Sequence, residues 1–170
     1  MSAHGEKSAL ASIVGTGGGI ASTVYGTVVV MATLTAAYAT EKDPWRLAVL
    51  VWTTAFVLWI AHLYSHGLAE SISRRQRLSS QELGEIARRE IGIILAAVVP
   101  SAALLLGALG IVRESASVWL ALGLGLGILA AEGFRYAHIE TLSRAATLAI
   151  VGTNLTVGLL VVVLKVAVAH

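Results

Sequence analysis

Residues 47–69 read LAVLVWTTAFVLWIAHLYSHGLA, twenty-three positions without one Asp, Glu, Lys or Arg. Apolar side chains recur around the whole circumference of a helix drawn on this stretch, as in helices embedded in lipid or in a bundle core. At 1.5 Å per residue such a helix is about 34 Å long, enough for a hydrocarbon layer of about 30 Å.

The rest of the chain repeats the pattern. Ser8 to Thr40 is uncharged, with its helical part expected at 20–39, and further apolar stretches occupy 91–112, 115–136 and 145–168. Hydrophobic residues make up 56% of the 170 residues and charged ones only 13%, half the charged share of roughly a quarter found in soluble domains. Mean hydropathy is +0.81. The expected fold is therefore all-α: a polytopic bundle of five transmembrane helices forming a single domain, 1–170, whose first partner is the lipid bilayer. Disulfides, thiolate metal sites and thiol catalysis are excluded because the chain has no cysteine. A net charge of +2 with pI near 9.2 does not point to nucleic acid, because the basic residues cluster at the expected membrane edges.

Those basic residues also orient the chain. With the N-terminus inside, Lys7, Arg74, Arg75, Arg77, Arg88, Arg89, Arg135 and Arg144 lie within and Lys42, Arg46, Arg113 and Lys165 outside, eight against four. The expected topology is N-terminus in and C-terminus out, in the cell membrane, a bacterial inner membrane by default. Ala37-Tyr38-Ala39 resembles a leader cleavage site, but the apolar run before it is far longer than a leader's core, and the segment is read as a span.

Local signals punctuate the spans. Asp43-Pro44 supplies an N-cap and first-turn proline for span two, and Trp45 and Trp119 suit an interfacial aromatic belt. Residues 70–90 form a cytoplasmic amphipathic segment with a capping box at Ser79 and Glu82, and Leu83, Ile86 and Ala87 are expected to pack inward. Its arginines suit either anionic lipid or a solvated connector. Gly15-Thr16-Gly17-Gly18-Gly19 lacks the Lys-Ser/Thr of a phosphate loop. Gly123 and Gly127, and again Ala103 and Gly107, have the small-xxx-small spacing that lets helices approach closely, within one chain or between copies. Trp45, Trp52 and Trp59 share one face of span two as a lipid-facing or packing stripe.

Ionisable residues at depth carry the functional information, since each is costly in hydrocarbon unless paired or hydrated. His62, His66 and Glu70 follow one another at i, i+4 spacing, and Glu132 precedes Arg135 and His138. Counted from the outer edge, Tyr25 and His62 lie about 24 Å deep and Glu132 about 27 Å; Pro100 and Asn154 fall about 15 Å from the inner edge. Tyr25, His62, Glu132 and Asn154 are thus candidates for a transport pathway. His62, His66, Glu70 and Glu132 are candidate ligands for a divalent transition metal as substrate, since imidazole and carboxylate so spaced share a cation or pass a proton. The alternative is structural, with Glu132 pairing Arg135 and the histidines snorkelling to the interface. No nucleophile triad, paired-acid arrangement or nucleotide fingerprint is present, so the expectation is that the protein is not an enzyme.

The order of helices, and the stretch HGLAESISRRQR at His66 to Arg77 with its small-residue run, Glu and Ser/Arg/Gln-rich exit, resembles the vacuolar iron transporter family. On that resemblance Glu70 takes the place of the family's Gly-Glu acid, His66 replaces its methionine, and Tyr25-Gly26 stands where the family has Asp-Gly. Residues Gly133 to Gly152, with a short basic turn and a following glycine, are also similar. The resemblance implies a dimeric five-helix scaffold with a translocation path between protomers. The functional expectation is a cation transporter or channel, for a divalent metal or coupled to protons, working as a homo-oligomer. The alternative is an accessory or scaffold subunit of a larger membrane complex. A haem or quinone site on His62 is a third, weaker option.

Overall fold

The computed structural model describes residues 17–168, and all regular structure among them is helical. Lys7 and the start of the glycine run, Gly15-Thr16, lie outside the described residues. The helices are α1 (Gly17–Ala37), α2 (Pro44–Arg74), α3 (Ser80–Arg89), α4 (Gly92–Ala108), α5 (Glu114–Ile139) and α6 (Arg144–Val168). Among the described residues α1, α2, α5 and α6 are long and apolar enough to cross a membrane. The 17-residue α4 meets α3 at a bend of 41°, and the bent pair brings the candidate spans to five.

Capping chemistry sets the ends. The Asp43 carboxylate accepts from Trp45 N at 2.9 Å, with Pro44 in the first turn of α2. That helix runs past the expected end at 69, because nothing breaks it until Arg75 takes a left-handed φ of 53°. Span three stops short of 112. Gly110, at φ 72°, lets its own N–H reach the Gly107 carbonyl and the N–H of Ile111 reach that of Leu106, which closes α4 at Ala108.

The capping box of α3 forms as expected, with Glu82 N donating to Ser79 Oγ at 3.3 Å and Ser79 N donating to Glu82 Oε2 at 2.7 Å. The Ser79 backbone N–H, then its hydroxyl and the nearby Arg74, hold the Glu82 carboxyl below the ordinary carboxylate range. A depressed acid contributes stability above its unfolded value and loses it as pH falls through the folded one. Hydrogen-exchange protection at the first turn of α3, taken relative to the intrinsic rate at each pH, is therefore expected to hold at neutral pH and to fall only below the ordinary range of a glutamate; unchanged protection at low pH would show that the box does not hold this helix. Of the three residues expected to pack inward, Ile86 is buried and Ala87 half-buried. Leu83 departs from that expectation: it rests beside Gly67 of α2 yet remains 40% exposed, because the ten-residue helix covers only the end of the bundle.

The long helices alternate in direction. At one end Ser22 Oγ, early in α1, donates to the Arg89 carbonyl just before α4, and His66 Nδ1, in the last third of α2, contacts Glu90; Trp59 Nε1, midway along α2, donates to the Ala87 carbonyl. At the other, Gly107 near the end of α4 lies against Pro44 of α2 and Ser117 of α5. α4 is the central helix, in contact with α1, α2 and α5, and α6 packs on α5 and α1. The core gathers Met31 and Leu34 of α1, Leu47 and Val51 of α2, Leu104 of α4, and Leu122 and Leu129 of α5. Ala103 and Gly107 are buried within the chain, whereas Gly123 and Gly127 face outward with open space beside them. Of the tryptophan stripe, Trp45 and Trp52 are exposed and Trp59 ties α2 to α3.

The Ser101 hydroxyl on α4 is buried without a hydrogen-bond partner among the described residues. An unsatisfied buried hydroxyl costs roughly 1–3 kcal/mol. Ser101→Ala is thus expected to leave thermal stability in detergent unchanged or raised, and a fall would show that the hydroxyl has a partner in solution.

Candidate functional site

Glu132 sits on an otherwise apolar length of α5, between Leu129 and Gly133 on the face turned to the bundle. It is buried, and it lines two separate hollows. The first, about 200 Å³, lies among α1, α4 and α5 and is also lined by Thr23 and Arg135. The second is a more open groove of about 500 Å³ among α1, α5 and α6. Tyr25, Tyr136 and Asn154 share the second groove with Glu132, and its other walls are six aliphatic residues of α1 and α6.

Arg135, one turn further along α5, places Nη1 3.1 Å from both Glu132 oxygens. It donates through one nitrogen, without the two-pronged geometry that makes arginine–carboxylate pairs most selective. Its side chain keeps 31% of its surface exposed, so water and Glu132 both remain within its reach. The structural alternative raised by the i+3 spacing is therefore realised for this pair.

Of the four pathway candidates, Tyr25, Glu132 and Asn154 meet in the larger groove. His62 joins through Tyr25, whose ring centroid lies 4.8 Å from the imidazole. Asn154 Nδ2 donates to the Leu129 carbonyl at 3.1 Å, which ties α6 to α5 one turn from Glu132. His62 Nδ1 lies 3.1 Å from the Leu58 carbonyl. A carbonyl only accepts, so Nδ1 is the donor in this contact.

Of the candidate metal ligands, the His62 and His66 rings meet edge to face with centroids 5.8 Å apart, but the carboxylates do not join them. His66 Nδ1 contacts the Glu90 carboxylate at 2.9 Å, and Glu70 pairs with Arg74, which also reaches Glu82 at 2.6 Å. Residues spaced i, i+4 on a helix drift slowly around it, so His66 meets Glu90 at the α3–α4 junction, whereas Glu70 pairs with Arg74 of its own helix. Among the described residues no three His, Asp or Glu side chains gather as a metal site.

Two features escaped the sequence reading. Glu90 is buried at the α3–α4 bend, with only 7% of its side chain exposed. Its one sequence signal is its place as the last charge before the apolar run at 91–112. The position of Glu132 between two hollows depends on four helices at once, and no local pattern reports it. Comparisons with protein-family models, with curated proteins and with solved structures found no match for this chain.

Proposed function

We propose that the chain is a small secondary transporter or channel for a cation, with Glu132 as the group that binds and releases it. The observation that carries this reading is a buried carboxylate on a membrane-compatible helix that borders two hollows at once. Such a group is expensive in an apolar setting and marks ion or proton pathways in membrane proteins. Tyr25, His62 and Asn154 extend the polar path around it. In this reading α1, α2, α4, α5 and α6 are five spans and α3 lies on the cytoplasmic surface. The N-terminus is inside and the C-terminus outside, in a bacterial inner membrane. The outward Gly123 and Gly127 suit a second copy of the chain. Divalent metal remains a candidate substrate, reached by a carboxylate and imidazoles that would have to converge during transport.

The experiment is cation and proton flux in proteoliposomes, comparing the native chain with Glu132→Gln. Equal flux in both overturns the assignment.

A second reading, a non-transporting accessory or scaffold subunit, draws on the Glu132–Arg135 pair, which satisfies the buried carboxylate within the chain. Stoichiometric co-purification of a larger complex from native membranes, together with no flux from the isolated chain, would favour it.

A further inference from the structure

The groove among α1, α5 and α6 is the wrong shape for a bare metal ion. Its volume of about 500 Å³ lies within the range of roughly 300–1,000 Å³ typical of sites for small organic molecules. Among the described residues the lining is aliphatic apart from two tyrosines, one asparagine and one carboxylate, and Glu132 is its only acid. Among the described residues no third ligand joins a metal-binding set there or elsewhere. An apolar wall, aromatic rings and a single buried negative charge are complementary to a cation whose charge is cloaked in hydrocarbon, because the walls desolvate the body while ring and carboxylate attract the charge.

Arg135 bears on how such a cation would bind. It lines the smaller hollow and not the groove, whereas Glu132 lines both. The guanidinium holds the carboxylate through one nitrogen only, and Arg135 forms no part of the groove wall.

Building on the reading of Glu132 as the cation-binding group, we propose that the groove binds hydrophobic organic cations of the quaternary ammonium and phosphonium class, and that Arg135 is a tethered competitor which the incoming cation displaces from Glu132. In the empty site the arginine neutralises the buried carboxylate. When cargo arrives, the half-exposed arginine side chain turns to the smaller hollow and to water. The apparent affinity is then reduced by the fraction of time the arginine occupies the carboxylate.

The test is equilibrium binding of tetraphenylphosphonium to the detergent-solubilised full chain, with tetraphenylborate as the anion of the same shape. Saturable binding of the phosphonium and not of the borate is expected. Glu132→Gln should abolish it, and Arg135→Gln should tighten it about tenfold if the arginine holds the carboxylate some nine-tenths of the time. Ala21→Phe, at an exposed position on the groove wall, should block binding with the Glu132–Arg135 pair intact, and it serves if either charge variant fails to fold. Equal binding of both ions, or phosphonium binding that survives Ala21→Phe, overturns the groove as the site. Weaker binding in Arg135→Gln overturns the competitor role. Glu132-dependent flux of protons or Mn²⁺ without phosphonium binding overturns this inference and leaves the transport reading standing. Glu132-dependent phosphonium binding with no flux of any cation does the reverse.

Discussion

Glu132→Gln is expected to keep the bundle folded and to lower cation flux to the level of protein-free liposomes. Glutamine preserves the shape of the side chain and its place between the two hollows but removes the negative charge and the exchangeable proton. A transport step that needs either cannot proceed through it. Removing one partner of a buried ion pair usually costs about 3–5 kcal/mol, because it strands the other charge. Here the stranded group is Arg135, whose side chain is 31% exposed and long enough to snorkel toward water. The penalty should fall well below that figure, and the double variant Glu132→Gln/Arg135→Gln removes it altogether. Flux of the two variants should therefore be equally low, whereas their thermal stabilities differ. Recovery of flux in the double variant would show that the carboxylate serves only to neutralise Arg135, and the pathway would then belong elsewhere in the molecule.

Much of the helical framework is written locally in the chain, and the site is written only in part. Uncharged runs longer than a bilayer core announce the helices, and Asp43-Pro44 and Ser79 with Glu82 announce two of their starts by chemistry confined to a few residues. The premature end of α4 was in principle legible too, since Gly110 is the residue type that a left-handed turn takes, but the apolar sequence beyond it hides the stop. Depth counting placed Tyr25 and His62 at one level, and the rings do touch. Counting residues gives height along a helix but not rotation between helices. It therefore could not show that Asn154 shares the groove with Glu132, that Arg135 lines only the smaller hollow, or that His66 turns to Glu90. Those relations depend on which faces the central α4 draws together, and that is decided by small residues scattered over several segments.

The sharpest of these packing constraints is at Gly26, where exchange for a larger residue is expected to dismantle the fold around the site. A Cβ there would stand 2.7 Å from the Ile93 Cα, 3.0 Å from the Ile93 carbonyl oxygen and 3.1 Å from the Ala96 Cβ. Two of the three obstacles are backbone atoms of α4, which cannot rotate aside as a side chain would. The helices must separate, and Ser22 then loses its reach to the Arg89 carbonyl. Overpacking a filled interior typically costs about 1–3 kcal/mol. Gly26→Ala is expected to fall in that range, and Gly26→Leu to leave little folded protein. Gly152→Ala is the matching control, because among the described residues nothing outside its own helical turn lies within 4 Å of a Cβ at that position. Thermal unfolding in detergent should show a clear loss for the first exchange and none for the control. Tyr25 and Thr23 flank this crossing and line the two hollows beside Glu132, so Gly26→Ala should also weaken flux even where the protein still folds. An unchanged melting temperature for Gly26→Ala would mean that α1 and α4 do not cross here, and the smaller hollow bordered by their contact would have to be redrawn.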